Sequence, residues 1–509
     1  MQKYDVIAAG HICLDITPAF LNQGTESFDQ LFHPGKLINV GKPSIHTGGS
    51  VPNTGIAVQI LGVPTLLRGK IGQDLFGEVI LSILRNHGME QGILVDKTAS
   101  TSYSVVIAPR GIDRIFLHDP GANNTFSSDD IDYEAVAHAR LFHFGYPPLM
   151  RSLYQNNGRE LVKIFRRVKD LGVTTSLDCT LPDPSSESGK LDWKSILGEV
   201  LPYVDIFCPS LEEALYMALP EDYHHFREKN QKADFIDLYD PTHLPKVGEV
   251  LTGMGCAMAF VKCGLMGCYL KTGTEDKIVH TGKARPENAK DWSNKEILVP
   301  AFRIEKVAST TGCGDSAVAA FLVSLLKGST PEDAVRNACG AGAFTASVYD
   351  SLSGLKSIDE IAGKIAEGWE HIIVSPAVIV SEFVIPVGCI ERASFKFIAP
   401  GKARIIGIDD HHRYTEWLQN GSFSFGNMDR KSSILCSGRI WDYNYRQIGT
   451  NLSFGDGDKR IHCHIIRSRQ CRNIGSRIVD FHSLIGRCRD FNRNIHCTAH
   501  IIFIDGKSS

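Results

Sequence analysis

Long apolar runs are missing from this 509-residue chain. Nothing approaches the roughly 18 consecutive apolar residues that a membrane helix needs, so no span is expected. The opening MQKYDVIAAGHICLD lacks the apolar core and small-residue cleavage pattern of a secretory leader. A one-sided charge is also absent. Against 54 Lys+Arg stand 57 Asp+Glu, a formal net of −3, which gives no general reason to bind nucleic acid. The 14 Cys form no recognisable framework. Cys13, Cys179, Cys208, Cys256, Cys263, Cys268, Cys313 and Cys339 sit mostly in apolar or glycine-rich runs. They read as buried free thiols of a reducing compartment, hence a cytoplasmic protein. With 43% hydrophobic and 22% charged residues, disordered and collagen-like classes are excluded. Length alone suggests two to four domains.

The averages hide a break near residue 375. Residues 1–380 carry 35 Lys+Arg and 45 Asp+Glu, a net of −10, whereas residues 381–509 carry 19 and 12, a net of +7. In that last segment Ile outnumbers Leu 19 to 4, Arg outnumbers Lys 14 to 5, and no Glu follows Glu416. Residues 1–375 are therefore read as one domain. Residues 376–509 are either an appended domain of unassigned fold or translated sequence never selected to fold. The abrupt compositional shift, of the kind a frame change produces, favours the second. Gly421-Ser-Phe-Ser-Phe and Ser433-Ile-Leu-Cys read there as short strands. His462, Cys463, His464, Cys471, His496, Cys497 and His500 are metal-capable, but their spacing matches no zinc pattern.

Within 1–375, short apolar runs alternate with amphipathic stretches. Strands are expected at Tyr4–Ala9, Leu141–Phe144, Val173–Leu177, Asp205–Cys208 and Ala257–Lys262. Helices are expected at Val51–Leu61, Leu75–Asn86, Leu153–Leu171, Leu211–Ala218, Gly314–Leu326, Pro331–Val348 and Ile358–Ile372. Such a rhythm predicts an α/β fold, a parallel sheet with helices on both faces. Segments 12–50 and 100–120 are β-branched and polar and fit a small β-flap lid over a site at the strand ends. Tyr103, Phe116 and His118 fall in that substrate-facing flap, where they are candidates to shape the pocket, although His118 reads more readily as a surface strand residue. His143-Phe-Gly-Tyr-Pro-Pro resembles a strand-end loop at the site, its role open.

The most informative stretch is Ser309-Thr-Thr-Gly312-Cys313-Gly314-Asp315-Ser316, followed by a nearly all-apolar helix. Two glycines at i and i+2 allow backbone to approach a ligand. Their N–H groups open a buried helix whose positive end points the same way, which makes an anion hole. Asp315, on the first turn, is placed to accept a proton from a hydroxyl. A glycine-rich turn with Asp as a helix cap is the plainer alternative.

Here the sequence resembles the ribokinase-like (PfkB) carbohydrate kinases. Thr311-Gly-Cys-Gly-Asp315 is similar to their C-terminal signature. The other elements follow in family order: Gly10-His-Ile-Cys-Leu-Asp15, Gly48-Gly-Ser-Val-Pro-Asn53, Gly69-Lys-Ile-Gly72-Gln-Asp74-Leu-Phe-Gly77, Gly121-Ala-Asn123 and Pro209-Ser-Leu-Glu-Glu213. Taken alone, Asp15, Asn53 and Asp74 also fit turn or helix caps, and Glu213 a solvated helix charge. The resemblance implies a ribokinase-like sandwich that moves the γ-phosphoryl group of ATP, with Mg2+, to a hydroxyl of a sugar. In it Asp315 is the base, and the N–H groups of Gly312, Cys313 and Gly314 form the anion hole. Asp15, Gly49, Asn53 and Asn123 hold the sugar, and Glu213 organises magnesium through water. Lys262, Gly264, Gly267, Thr311 and Cys339 face the nucleotide. A homodimer through the flap is also implied.

Departures from the family pattern cluster around the nucleotide. Ser210 replaces the usual Asn, Lys262 the usual Thr, and Ser309 an Asp that helps hold a monovalent cation, which puts potassium dependence in question. Cys339 stands near the usual adenine-side Asn. A nucleoside acceptor and a non-catalytic sugar sensor remain the alternative functions.

Overall fold

The computed structural model describes residues 4–22, 24, 27–109, 115–229, 239–350 and 352–372, together with short strands between Ser394 and Cys497. The chain divides into two compact units, Met1–Cys389 and Ile390–Ser509.

Among the described residues, fourteen strands belong to the first unit. They are β1 (Val6–Gly10), β2 (Cys13–Phe20), β3 (Val40–Gly48), β4 (Thr65–Arg68), β5 (Lys70–Gly72), β6 (Leu94–Asp96) and β7 (Tyr103–Ile107), then β8 (Ile115–Asp119), β9 (Leu141–Gly145), β10 (Thr174–Asp178), β11 (Ile206–Phe207), β12 (Met258–Lys262), β13 (Cys268–Thr272) and β14 (Glu296–Val299). Eight of them form one sheet in the order β14-β13-β12-β11-β10-β9-β1-β4. The strands from β4 to β12 pair in parallel. Two edge strands do not: β13 runs antiparallel to β12, and β14 to β13. The sheet is therefore mixed, where the βα rhythm predicted a parallel one. The reason is local. Gly264 and Gly267, both at positive φ, close a turn between β12 and β13 that is too short for a parallel crossover.

Buried strands present alternate residues to two cores. Ile7, Phe142, Phe144, Ala259 and Val261 face one core, shared with the Arg151–Asp170, Trp193–Val200 and Leu211–Ala218 helices. Val6, Leu141, Met258 and Phe260 face the other, shared with the Cys313–Leu326 and Pro331–Ala346 helices. The Cys313–Leu326 helix is buried from Asp315 to its end, which explains its nearly continuous apolar sequence. Phe321 stacks on Phe260 with ring centroids 4.4 Å apart.

Two helices differ from their expected spans. The Arg151–Asp170 helix is broken by Gln155, Asn156, Asn157 and Gly158, the last three left-handed. Asn and Gly are the residues that best tolerate that region. The last helix stops at Ala366, and Gly368, at φ 90°, supplies the left-handed stop after it. Segments 12–50 and 100–120 contribute a separate four-stranded sheet, β3-β2-β7-β8.

The second unit holds two three-stranded antiparallel sheets, built from Ser394–Ala399, Lys402–Ile406 and Ser422–Ser424, and from Ile440–Asp442, Tyr445–Phe454 and Ile461–Ile466. A short pair joins Cys488–Arg489 to His496–Cys497. Ser422–Ser424 lies in a stretch read as a strand; Ser433–Cys436, Cys471 and His500 lie outside the described residues.

Phe321→Ala is expected to cost about 3–5 kcal/mol of stability, the usual range for deleting a buried aromatic ring. Urea denaturation of the two proteins measures it, and a loss below about 1 kcal/mol contradicts the packing described.

Candidate functional site

The parallel strands end on one side of the sheet, where an open α/β fold collects its ligands. Gly10 and Gly145 end β1 and β9, Asp178 ends β10 and Lys262 ends β12. Glycines at 10 and 145 let the strands hand the chain on without side chains in the crevice; a Cβ on Gly145 collides with Ser50.

Asp315 sits on the first turn of the buried helix and is only 4% exposed. Gly312 caps that helix at φ 75°, a left-handed conformation that favours glycine. The first N–H groups of any helix lack intrahelical partners, so those that follow Gly312 form a cluster of donors. Three side chains hold the Asp315 carboxylate. The Tyr146 hydroxyl donates to Oδ1 at 2.8 Å, the Thr54 hydroxyl to Oδ1 at 3.2 Å, and the Asn53 amide to Oδ2 at 3.2 Å. Oδ2 thus accepts one of these bonds where Oδ1 accepts two. Burial pushes the Asp315 carboxyl above the usual range, while Lys262 and the three donors pull it back.

Lys262 reaches toward the same helix start: a Cβ on Gly314 would lie 3.3 Å from its Cδ and 3.8 Å from its Nζ. Its ammonium pairs with the buried Asp178 at 2.6 Å. Burial acts to discharge Lys262, but Asp178, Glu213 and Asp315 together raise its pKa above the ordinary lysine value. Burial raises the Asp178 carboxyl against the pull of Lys262, and Glu213 and Asp315 add to the rise. One cation among three carboxylates leaves the cluster with surplus negative charge.

Glu213 occupies the third position of its helix, and Ser210 caps it. The Ser210 hydroxyl accepts from the Glu213 N–H at 3.2 Å, and Glu213 Oε2 accepts from the Ser210 N–H at 2.7 Å. Serine at 210 therefore does the capping work that the usual Asn would do. Asp74 is likewise an N-cap, accepting from Gly77 at 2.9 Å and from Thr101 at 2.7 Å, as its folding reading predicted.

Asp15 lies on β2, in register with His46 of β3 and Ser104 of β7, and Ser104 is in register with His118 of β8. The four form one polar row across the flap. Burial raises the Asp15 carboxyl. His118 is not a surface residue: its Nδ1 meets the Ser104 hydroxyl at 3.0 Å, and its ring lies 5.2 Å from the buried ring of His11. Gly49, at φ 91°, caps the Ser50–Ile60 helix against His11.

Two of the expected site residues make contacts within the fold. Asn123 is fully buried, and both ends of its amide bond the backbone of Ile12, at 3.2 and 2.9 Å, which fixes the β1–β2 connection. Cys339 is also buried, with its thiol donating to the Val299 carbonyl at 3.3 Å and its side chain in the apolar core. Ser309 accepts from the Thr311 N–H at 3.1 Å, so residue 309 serves its own loop. Sequence reasoning missed Thr54, Asp178 and His11, and left the role of Tyr146, in a strand-end loop, open. Asp178 ends a buried strand, which was a usable signal.

The family profile described as "pfkB family carbohydrate kinase" matches residues 10–357. The chain belongs to that family. This carbohydrate kinase is 25% identical over 300 residues to a protein named "Uncharacterized sugar kinase" from Archaeoglobus fulgidus, covering 59% of this chain and 98% of the relative. It is 26% identical over 311 residues to fructokinase-1 of Zea mays, covering 58% and 81%. Among solved structures it resembles the Arabidopsis thaliana ribokinase complexed with ribose and ATP, with a TM-score of 0.52 at 19% identity, covering 71% of this chain and 98% of that one. The Giardia lamblia ribokinase gives 0.53 at 16%, covering 72% and 99%. These two likenesses show that the kinase has the ribokinase-like fold. Among the described residues no helix is long and apolar enough to cross a membrane.

Gly49→Ala is expected to destabilise the kinase by about 2 kcal/mol or more. A left-handed backbone costs an L-residue roughly 1–2 kcal/mol, and the new Cβ would lie 2.6 Å from the His11 carbonyl oxygen and from Nδ1. A urea midpoint equal to that of the wild type contradicts the close approach.

Proposed function

We propose that this sugar kinase transfers the γ-phosphoryl group of ATP to a hydroxyl of a sugar, with Asp315 as the general base. The supporting observation is the carboxylate itself. It is desolvated and held by Asn53, Thr54 and Tyr146, at the opening turn of a buried helix. Because Oδ2 accepts only the Asn53 bond of the three, it is the oxygen with room for the proton of an incoming hydroxyl. Asn53 bonds Asp315, and by the family reading Asn53 and Asp15 both hold the acceptor, so the acceptor is expected between the Asp15 row and Asp315. The N–H groups of Gly312, Cys313 and Gly314 and the ammonium of Lys262 are proposed to stabilise charge on the phosphoryl oxygens. Positioning and electrostatics of this kind carry most of the rate in phosphoryl transfer.

Lys262 takes a double role in this reading. It neutralises Asp178 beside the helix start, and it supplies the positive charge there. Gly264, Gly267 and Thr311 are proposed to border the nucleotide through backbone. The donor set fits magnesium in a particular way. Among the described residues no three His, Cys, Asp or Glu converge as a direct metal cage. Surplus negative charge at Asp178 and Glu213, and the buried, unpartnered Asp178 Oδ2, suit an ion carried mainly by the phosphates, with these carboxylates binding its water. When bound, such an ion would neutralise phosphate charge. With Ser309 lacking a carboxylate, no monovalent-cation requirement is proposed. A cytoplasmic location and a homodimer through the flap follow the same family reading.

Asp315→Asn is expected to lower turnover roughly 10²–10⁴-fold, the span usual for a general base, with sugar affinity nearly unchanged. ADP release over a panel of sugars and nucleosides, with calorimetric sugar binding, measures both. Near-normal turnover removes Asp315 from this role. Turnover of nucleosides alone replaces the sugar reading, and sugar binding without ADP release points to a sensor.

Residues 1–375 are proposed to hold the whole catalytic apparatus. A chain truncated after residue 375 is expected to keep wild-type turnover within about twofold. An inactive or unfolded truncation refutes this division of the chain.

A further inference from the structure

His11 is 2% exposed, yet neither of its ring nitrogens has a hydrogen-bond partner among the described residues. A buried donor or acceptor left unsatisfied is costly, so a native protein rarely keeps one without a use. The backbone that carries the ring is fixed on both sides. The main-chain N–H of His11 donates to the Gly145 carbonyl at 3.1 Å, and the main-chain carbonyl of His11 accepts from the Val51 N–H at 3.1 Å. Gly49, at φ 91°, leaves the space that the ring fills.

The second imidazole comes from the flap. Ser104 engages His118 Nδ1, and Nε2 is buried and unpartnered among the described residues. The two rings are tilted at 46° with centroids 5.2 Å apart, and the Tyr146 ring lies 6.3 Å from His11. Tyr146 is the residue whose hydroxyl holds Asp315. A residue that follows β1 and a residue of the flap therefore bring buried, unpartnered ring nitrogens into one cluster with Tyr146, which holds the proposed base.

Resting on the sugar-kinase reading above, we infer that His11 and His118 form an acceptor-binding pair whose free nitrogens hydrogen-bond hydroxyl groups of the sugar. A neutral imidazole offers one donor and one acceptor, which matches a hydroxyl's own dual character. Burial lowers the pKa of both rings, more strongly for His11, where His118 adds to the effect, and so favours the neutral form of each. The row His46, Asp15, Ser104 and His118 supplies a carboxylate and no fixed cation. The pair thus suits a neutral, hydroxyl-rich acceptor and disfavours a sugar that already carries phosphate. A site built to satisfy hydroxyls also rejects analogues that lack them, because its own polar groups are then left unpaired.

The test uses the full chain with ATP and with D-fructose and D-ribose as probes. His118→Asn retains a polar group where Nδ1 meets Ser104 but removes the Nε2 site; His118→Gln places a polar group near Nε2. His118→Asn is expected to raise the KM for the sugar roughly 10–100-fold, with KM for ATP within twofold, and His118→Gln to restore the sugar KM to within about threefold of the wild type. A sugar KM in His118→Asn equal to that of the wild type overturns the inference, as does an equal rise in the ATP KM. Monodeoxy analogues of the better probe give a second measure. One analogue should lose its penalty in His118→Asn, and an unchanged penalty across the whole series overturns the pairing. Calorimetric sugar affinity needs no turnover. It judges the histidine pair even where a wild-type protein that releases no ADP has refuted the kinase reading.

Discussion

Asp315 and Asn53 are far apart in sequence and meet through a 3.2 Å hydrogen bond. Around that contact the two halves of the kinase's site are organised. Asn53 belongs to the helix that follows the first signature, and Asp315 opens the helix of the last one. Both helices pack on the same face of the sheet, so the contact exists only when the sheet is complete. A carboxylate desolvated in this way would be costly alone. Thr54 and Tyr146 satisfy it, and Lys262 supplies a positive charge nearby.

The charge cluster behind it works by imbalance. Lys262 with Asp178 is a buried ion pair, which by itself adds little to stability because desolvation offsets attraction. Its value lies in what it holds ready: an ammonium beside the helix start, and carboxylates still in surplus. In the proposed reading, a nucleotide with its cation would supply the complementary charges. Three of the positions read as departures from the family pattern, Ser210, Lys262 and Ser309, lie at or near helix starts or a strand end. Ser210 preserves its helix cap, while Lys262 changes the electrostatics outright.

The flap is governed by a different constraint. Its polar row is made by strand register, since side chains in register across adjacent strands share a face. Asp15, Ser104 and His118 come from three segments that no local pattern links. One slip of register would send them to the other face. The φ of 91° at Gly49 and the close fit of His11 against it tie this flap to the body of the molecule.

Much of the kinase was legible in the residues alone. The glycine-rich turn before an apolar helix and the alternation of strands and helices follow from local chemistry, the order of the short motifs carries the family resemblance, and together they singled out Asp315, Asp15 and Asn53 as candidates. Asp74 and Ser210 behave as helix caps because capping is also local. What the sequence could not decide was which groups share a space. The antiparallel edge depended on a tight glycine turn, the break at Asn156–Gly158 on three left-handed residues, and the end of the last helix on Gly368. Asn123 and Cys339 carry suitable side chains but are spent on Ile12 and on the apolar core. Tyr146, Thr54, Asp178 and His11 became site residues only when distant strands aligned. Hydrogen bonds and desolvation act over a few ångströms in space, and separation along the chain does not measure that distance.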